Sequence, residues 1–509
     1  MSRQPDIRPS GPAVLVPHFA SILRLASAAL VGAAASLASA ALLAPPGFAQ
    51  SAAAPSRVVI PSAHTITLPN GARLILAEKH SLPLISFQGT LRGCGSIVDP
   101  SGKEGLASLT ADMLRKGAGK RSAREIAAVT DGAGADLSTG AGVETAAISG
   151  EFLARDQDLM IDLVRSILRE PTFPDSEFVK LRDQTVDALR ADKDDPSAML
   201  GLYAAAYFYQ GHPYGRPTSG DETTVAKLTR DDVLACYREN YGGDRLILTV
   251  VGDFDARAME NKLRRAFGDW KPAPAQPPSI PPTSRRTGRH VLLIDKPDAT
   301  QSYFWIGNLG IARTDPDRVT VDVVNTAFGG RYTSMINTAL RIKSGLTYGA
   351  RVRIPRPTRP GTVAISSFTK TESTQKAIDL ALETLARFRA SGLDATTLHS
   401  ATQYIEGQYP TSFETNGQIA GTLSDLAFYG LPPTEVTEYP AHVAAVSRPD
   451  ALKPLIQRVY PSAEDLTIVV VGNAKAIRPM LRKYGPILET SINEPLLTGV
   501  RGAKANAAR

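Results

Sequence analysis

Cysteine is scarce in this chain of 509 residues, which contains only Cys94 and Cys236. Two thiols cannot form a framework of disulfides, so the fold has to be stabilised by the packing of apolar side chains. Hydrophobic residues make up 43% of the composition, and the chain is too long for one compact core. We therefore expect at least two domains, and the sequence leaves open whether the two cysteines pair.

Long basic runs are also missing, although Lys and Arg (57) outnumber Asp and Glu (50). The excess is spread over many segments, and no recognisable nucleic-acid-binding module accompanies it. The sequence therefore argues against nucleic acid as a partner.

The first 50 residues differ in composition from the rest of the chain. Arg3, Arg8 and Arg24 precede an Ala/Leu-rich stretch over residues 25–44, and prolines and small residues follow it. This order is typical of a secretory signal peptide, so we predict a signal peptide over residues 1–50 and an exported, periplasmic protein with no other membrane segment. The apolar stretch is nearly long enough to span a bilayer, so an uncleaved anchor is the alternative.

Strand and helix patterns alternate after the leader. The pair Asn70-Gly71 between two alternating apolar runs predicts a β-hairpin, and a pattern bounded by prolines predicts a helix over residues 175–194. The segments LTRDDVLACYRENYGGDRLILTVVGDF and VSRPDALKPLIQRVYPSAEDLTIVVVGNA share one order of capped helix, turn and apolar strand. They indicate an internal duplication, and hence two homologous α+β domains, each a β-sheet covered by helices.

A proline-rich stretch, KPAPAQPPSIPPTSRRTGR at residues 271–289, separates the two halves and favours an extended, semi-rigid linker rather than a packed element. We therefore place an N-terminal domain at residues 57–270 and a C-terminal domain at residues 290–490. Residues 491–509 show no periodicity and are predicted to be a disordered tail.

Several segments resemble the pitrilysin/insulinase family of zinc peptidases. They are GCGSIVDPSGKEGLASLTADMLRKG (93–117), REPTFPDSEF (169–178), GHPYGRPTSG (211–220), VVGDFD, GGRYTSMINTALRIKSGLTYG and YGLPPTEV. The resemblance extends from Val58 to Leu488 and implies two peptidase-like domains that face each other across the proline-rich linker.

Active members of that family carry H-x-x-E-H on the first of these helices, where two histidines bind zinc and the glutamate acts as general base. This chain has Ser108, Ala111 and Asp112 at those places, and Ala188 at the place of the third ligand, a glutamate. No two histidines after the leader are close enough in sequence to form a local ligand pair: His64, His80, His212, His290, His399 and His442. The resemblance therefore implies a degenerate metal site, and we expect no zinc or other cofactor in this chain.

The second half keeps TALRIKSGLTYGARV, which is similar to the family segment whose Arg and Tyr reach the active site. Arg341 and Tyr348 match that pair in spacing. By resemblance, Tyr348 would donate a hydrogen bond to the oxyanion of a peptide substrate and Arg341 would hold its carbonyls. We expect Gly345 to end the helix and Tyr348 to start the next strand, with both side chains in one cleft. The alternative is an ordinary cation near a helix C-terminus and an ordinary strand aromatic.

Two hypotheses of function follow from this resemblance. In the first, the chain is the non-metal subunit of a heteromeric exported zinc peptidase: it supplies Arg341 and Tyr348 to a homologous, zinc-bearing partner, and an extended peptide substrate adds a strand to a sheet edge. In the second, the chain is a catalytically inactive pseudopeptidase that binds peptides or assembles a complex. A hydrolase built on Ser108 is disfavoured because no G-x-S-x-G motif surrounds it.

Overall fold

Two large β-sheets form the framework of residues 60–505, the part of the chain that this computed structural model describes. The first sheet has the spatial order β1 (Ala63–Thr67), β2 (Arg73–Glu78), β8 (Leu246–Gly252), β3 (Leu84–Arg92), β7 (Thr145–Leu153) and β6 (Asp136–Ala141). The second has the order β11 (Ala350–Arg353), β12 (Thr362–Lys370), β10 (Gln301–Leu309), β13 (Leu466–Gly472), β9 (Arg289–Asp295), β14 (Ile487–Ser491) and β15 (Lys504–Ala505). A small ribbon pairs β4 (Gly117–Ala118) with β5 (Arg121–Ser122).

Helices cover both sheets. Those before the linker are α1 (Leu106–Met113), α2 (Ala123–Gly132), α3 (Gln157–Arg169), α4 (Asp175–Ala191), α5 (Pro196–Phe208), α6 (Glu222–Val225), α7 (Arg230–Asn240) and α8 (Ala256–Phe267). Those after it are α9 (Arg318–Asn325), α10 (Met335–Asn337), α11 (Thr374–Ser391), α12 (Ala395–Gln408), α13 (Asn416–Tyr429), α14 (Thr434–Ala445), α15 (Lys453–Val459), α16 (Ala474–Leu481) and α17 (Leu496–Gly502). Helices α9 and α10 each continue into a π-helical segment, Thr326–Gly330 and Thr338–Lys343.

The two sheets share one topology. The order β2–β8–β3–β7–β6 corresponds to β9–β13–β10–β12–β11, and in each sheet the first pair of strands is parallel and the next three pairs are antiparallel. The matching apolar strands that indicated a duplication are β8 and β13, which occupy equivalent central positions. The predicted α+β class, with two sheets covered by helices, is confirmed.

The local predictions for the first half also match the structure. Strands β1 and β2 form the hairpin, and Asn70 fixes its turn because its Nδ2 donates to the carbonyl oxygens of Phe267 and Trp270, each at 2.8 Å. The helix predicted over residues 175–194 is α4 followed by one 3-10 turn, Asp192–Asp194.

Each half of the chain contributes one helix to the sheet of the other half. Helix α13 comes from the second half, yet it packs on β3 and β8 of the first sheet. Its residues Ile419, Ala420 and Leu423 form an apolar cluster with Ile75 and Ile247 of that sheet. The burial of these side chains against strands on the far side of the linker joins the two halves.

Helix α5 makes the reciprocal contact. It comes from the first half and packs on β10 and β13 of the second sheet. Its residues Leu200, Tyr203 and Tyr207 share a cluster with Leu292 and Trp305. Because α5 and α13 lie at equivalent places in the duplicated order, the two halves cover each other's sheets by the same exchange.

The proline-rich linker is extended, as its composition favours, and its backbone is hydrogen-bonded to the body of the protein. Residues 271–289 contain no helix, and a strand begins only at their end. Within them, the amide of Ala273 donates to Asp244 Oδ1 at 2.7 Å and that of Ala275 donates to the carbonyl of Glu239 at 3.0 Å. These bonds satisfy backbone groups that an isolated linker would leave to water.

The prediction of a disordered tail over residues 491–509 is wrong as far as residue 505. Helix α17 buries Leu496, Leu497 and Val500 in the cluster that surrounds α5. Three apolar residues within two turns are too few to produce a detectable period, so only the tertiary contact identifies the helix.

The predicted signal peptide, residues 1–50, lies outside the described residues. In the described part of the chain, no helix combines the length and the apolar character that crossing a bilayer requires. Cys94 and Cys236 are buried and do not form a disulfide.

The exchange of helices predicts that the two halves unfold together. Leu423→Ala should lower the free energy of unfolding by about 2–4 kcal/mol, because it leaves a cavity where α13 meets the first sheet. Urea unfolding should be followed in Trp270→Phe and Trp305→Phe backgrounds, since each half holds one of the chain's two tryptophans. Both signals should shift together, and the exposed Leu82→Ala (58% exposed) is the matched control. A shift confined to one tryptophan would contradict the interlocked arrangement.

Candidate functional site

Helix α1, which carries three of the degenerate metal-site residues, begins at a buried cap. The carboxylate of Asp99 accepts hydrogen bonds from the amides of Gly105 (2.9 Å) and Ala107 (2.8 Å). Burial raises the pKa of Asp99 to about 7, although these two bonds oppose the shift. Gly105 has a φ of 98°, and a Cβ there would lie 2.7 Å from the carbonyl oxygen of Ser219, so the close approach requires glycine.

The residues at the family's metal positions differ in their environments. Ala111 is fully buried in the first core, Ser108 and Asp112 are half-buried, and Ala188 on α4 is exposed. Asp187, beside Ala188, instead forms an exposed ion pair with a neighbouring arginine on α4. Helices α1 and α4 do contact each other, but the side chains at these places offer no nitrogen or sulfur donor. This set therefore does not fit zinc.

Asp112 is the one acid at these positions, and its environment disfavours its charge. Burial raises the pKa of Asp112 to about 6, and the positive charges of Arg115 and Lys116 only partly offset the effect. Among the described residues, no group of three or more His, Cys, Asp or Glu side chains is placed to hold a metal ion.

A large cavity of about 1460 Å³ lies between α5 and the second sheet. Its walls come from both halves, since small residues of α5 face β10, β11, β12 and the two π-helical segments. Seven aromatic side chains take part: Tyr209, Tyr214, Tyr303, Trp305, Tyr332, Phe368 and Tyr404. None of the degenerate metal-site residues lines this cavity.

Beside the cavity, hydrogen bonds join the two halves. The carboxylate of Glu144 accepts from the amide (3.1 Å) and hydroxyl (2.8 Å) of Thr358, and from the hydroxyl of Tyr214. The amide of Arg359 in turn donates to Tyr214 Oη at 3.0 Å. Residues 355–361, several of which line the cavity, are therefore fixed to the first half.

Arg341 lines this cavity from the π-helical segment Thr338–Lys343. Its guanidinium lies over the ring of Tyr332, 4.8 Å from the centroid. Gly345, with a φ of 65°, follows the segment, as expected from the sequence. Such π-helical turns are frequent at functional sites because they shift side chains out of the regular helical positions.

Tyr348 is placed differently from the prediction, since it precedes the strand and lies outside the cavity. It is 80% exposed and does not line the cavity, and β11 begins two residues later. The neighbouring Thr347 explains this orientation. Its side chain is buried, and its Oγ1 bonds the amide of Gly349 (3.1 Å) and the hydroxyl of Ser367 (3.2 Å). With Thr347 turned inward, the adjacent Tyr348 faces solvent. The structure therefore brings Arg341, but not Tyr348, into the cavity.

Sequence reasoning missed the other arginines of the cavity: Arg331, Arg351, Arg353 and Arg356. The alternation Arg351-Val352-Arg353 was the available signal, because it places two charges on one face of a strand. It was too short to stand out from a generally basic chain.

Two family models match the chain. The one described as "Insulinase (Peptidase family M16)" matches residues 89–222, and the one described as "Peptidase M16 inactive domain" matches residues 227–403. The two matches are adjacent and together span most of the chain between β3 and α12.

Curated relatives cover most of the chain at low identity. An uncharacterized zinc protease of Streptomyces coelicolor is 25% identical over 409 residues, which are 79% of this chain and 88% of that protein. The non-peptidase homolog YmxG of Helicobacter pylori is 22% identical over 403 residues, which are 79% of this chain and 92% of that protein.

Solved structures share the fold. A peptidase M16 inactive domain from Pseudomonas fluorescens superposes with a TM-score of 0.75 at 23% identity, and the match covers 81% of this chain and 98% of that one. A protease from Helicobacter pylori gives a TM-score of 0.74 at 18% identity, with 81% and 100% covered.

The environment of Asp112 predicts a pH-dependent stability. Its folded pKa of about 6 exceeds the unfolded value of about 3.9, so the native state binds the proton more tightly and loses stability as pH rises from about 4 to about 6. Asp112→Asn should therefore be more stable than the wild type by about 1–2 kcal/mol at pH 8, after allowance for solvent at this half-buried site. The difference should shrink towards pH 4 in urea titrations. Asp187→Asn is the exposed control, and an equal difference at both pH values would contradict the assignment.

Proposed function

The chain belongs to the insulinase family, peptidase family M16, as a member without the family's zinc ligands, and we propose that it is the non-metal, substrate-binding subunit of a heteromeric peptidase. A homologous partner with an intact H-x-x-E-H motif would carry the zinc, and peptides would be the substrates. The chain alone would be inactive, because nothing at Ser108, Ala111 or Asp112 can activate a water molecule as a metal-bound nucleophile.

One observation carries this proposal, namely the outward position of Tyr348 beside a cavity that Arg341 lines. A hydroxyl that served a site within this chain would have to point into the cavity, whereas this one is 80% exposed. An exposed tyrosine of this kind is available to a second chain. Tyr332 and Ile342, at 59% and 51% exposed, lie in the same part of the chain and add apolar surface there.

The chemistry of the two side chains suits peptide hydrolysis. Attack on an amide creates an oxyanion, and a phenol hydroxyl held at that point stabilises it by a hydrogen bond. Arg341 rests one face of its guanidinium on Tyr332, which leaves its N–H groups free to donate to substrate carbonyls. Tyr348 and Arg341 would thus bind and polarise the substrate while the partner supplies the nucleophile.

A second candidate is a pseudopeptidase that binds peptides or assembles a complex without taking part in hydrolysis. The similarity to the non-peptidase homolog of Helicobacter pylori favours it. The two candidates differ in whether Tyr348 matters for turnover.

We also propose that the protein is exported to the periplasm, on the composition of residues 1–50. The mass of the protein recovered from a periplasmic extract should correspond to a chain cleaved close to residue 50. Recovery of the intact chain from the cytoplasmic fraction would contradict export, and recovery of the intact chain from the membrane would support the uncleaved anchor.

The shared site is tested with the chain alone, and with the chain mixed with a homologous subunit that carries H-x-x-E-H. Each sample is assayed for bound zinc and for cleavage of a quenched peptide library. We expect neither zinc nor cleavage in this chain alone, and cleavage in the mixture. Stoichiometric zinc or unaided cleavage in this chain would overturn the proposal.

Tyr348→Phe separates the two candidates. Loss of one oxyanion donor lowers kcat by about 10²–10³ in other enzymes, and we expect a loss of that order in the mixture with unchanged assembly by size-exclusion chromatography. Tyr429→Phe on α13 is the matched control, because Tyr429 does not line the cavity. Full activity of the Tyr348→Phe mixture would favour the binding protein instead.

A further inference from the structure

The charged side chains that line the cavity are strongly unbalanced in sign. Five are arginines and one is a carboxylate: Arg331, Arg341, Arg351, Arg353, Arg356 and Asp322. The carboxylate is already occupied. Asp322 lies 2.7 Å from Arg356 and also accepts from the hydroxyl of Tyr439 at 3.1 Å. Four arginines therefore remain without a carboxylate from the cavity wall.

Two of these arginines lie on one face of the edge strand β11. Arg351 and Arg353 alternate along it with a buried valine, so both side chains project from the same, exposed side. No carboxylate in the described part of the chain forms an ion pair with either of them. Burial, and then the charge of Arg353, lower the pKa of Arg351, as expected for like charges that face each other without an anion between them.

The other two arginines are held over aromatic rings. Arg341 lies over Tyr332, and Arg331 lies 5.8 Å from the ring centroid of Tyr404 while donating to the carbonyl of Ser400 at 2.7 Å. Stacking fixes the plane of the Arg341 guanidinium and leaves its edge free, which is the geometry that suits bidentate bonds to carboxylates, whereas Nη1 of Arg331 is already bonded to Ser400 and this arginine contributes mainly its charge.

The cavity wall opposite the arginines is uncharged and is lined by small side chains. Helix α5 contributes Ser197, Ala198, Gly201, Ala204 and Ala205, whose small side chains leave space in front of the arginines. The resulting volume of about 1460 Å³ exceeds the range of about 300–1,000 Å³ that is typical of small-molecule sites. The cavity therefore suits a length of chain better than a metabolite.

We assign recognition at this wall to side chains, because two backbone groups on the outer edge of β11 are already bonded to asparagine side chains. The amide of Ala350 donates to Asn337 Oδ1 at 3.0 Å, and the carbonyl of Val352 accepts from Asn325 Nδ2 at 3.3 Å. A ligand strand cannot use these backbone groups unless both asparagines move. The strand addition expected from the sequence is thus disfavoured at β11, and the arginine side chains are the donors that remain.

We propose that the cavity selects acidic peptide segments, with the carboxylates of Asp and Glu side chains bound by Arg351 and Arg353 on β11 and by the stacked Arg331 and Arg341. The inference deepens the proposed function, on which it rests, by naming the substrate class of the same site. Mixed arginine and aromatic walls also bind single-stranded nucleic acid, and that alternative is one outcome of the test.

Binding is measured by fluorescence anisotropy with the purified full chain alone, so no partner subunit or turnover is needed. The probes are a fluorescein-labelled peptide with Glu at every second position and matched peptides with Gln or Lys there. We expect the Glu peptide to bind at least about tenfold more tightly than the Gln peptide, and the Lys peptide to bind weakest. Added NaCl should weaken only the binding of the Glu peptide.

The double variant Arg351→Gln/Arg353→Gln should weaken binding of the Glu peptide about tenfold and leave the Gln peptide unchanged. The control is Arg257→Gln/Arg482→Gln, which removes the same net charge at exposed positions that do not line the cavity. Equal binding of the Glu and Gln peptides would overturn the inference, as would an equal loss in the control. If oligothymidine displaces the Glu peptide at a comparable concentration, the ligand of the cavity is nucleic acid and not an acidic peptide.

The peptidase subunit and the acidic-peptide site can be refuted independently of each other. Selective binding of the Glu peptide without cleavage in any mixture would retain the acidic-peptide site and refute the peptidase subunit. If the two mixed subunits cleave neutral peptides and this chain shows no preference for acidic peptides in binding, the peptidase subunit is retained and the acidic-peptide site is refuted.

Discussion

The exchange of α5 and α13 between the two halves is the contact on which the rest of the structure depends. Each sheet has two faces, and an exposed apolar face would be costly to leave in water. The helices of each half cover one face of its own sheet, and the helix from the other half covers part of the second face. The cavity exists because of this arrangement, since α5 forms one of its walls only by lying on the second sheet.

The two halves share a topology but differ where a site can form. In the first half, α1 runs from a buried cap and places Ala111, which stands where active members carry the general base, in the core. In the second half, the corresponding region is broken by two π-helical segments and opens into the cavity. Gly329 makes this possible, because a Cβ there would lie 2.3 Å from the side chain of Val352 and push β11 away. Duplication thus supplied two equivalent frameworks, and the larger cavity lies in the second half, where the backbone departs from regular helix: about 1460 Å³ there against about 410 Å³ between the first sheet and α13.

Patterns within a few residues were readable from the sequence, whereas contacts across the chain were not. The hairpin at Asn70-Gly71, helix α4 and the repeated apolar strands β8 and β13 depend on local periodicity and turn chemistry, and the structure has all of them. Helix α5 is apolar on every side, so its sequence indicates burial but not which sheet buries it. Helix α17 was missed for the same reason, because its order comes from apolar contacts with distant residues.

The same distinction between local patterns and distant contacts applies to the site residues. The spacing of Arg341 and Tyr348 could be matched to a family segment, but the direction of Tyr348 depends on Thr347, whose hydroxyl bonds with Gly349 and Ser367 turn it inward. The cationic wall arises only when β11, α12 and the π-helical segments come together, and no single stretch of sequence contains it. Composition alone gave a net charge of +7 without indicating where the charge is concentrated.

The exposure of Tyr348 also determines when its hydroxyl becomes useful. In water a phenol hydroxyl already bonds with solvent, so exchanging that bond for one to a substrate oxyanion gains little. The same bond becomes far stronger when water is excluded and the effective dielectric falls. Nothing in residues 60–505 covers the 80% of this side chain that is exposed. In the proposed peptidase, catalysis through Tyr348 would therefore require a second surface to close over it, so the proposed contribution of this chain to hydrolysis would depend on assembly.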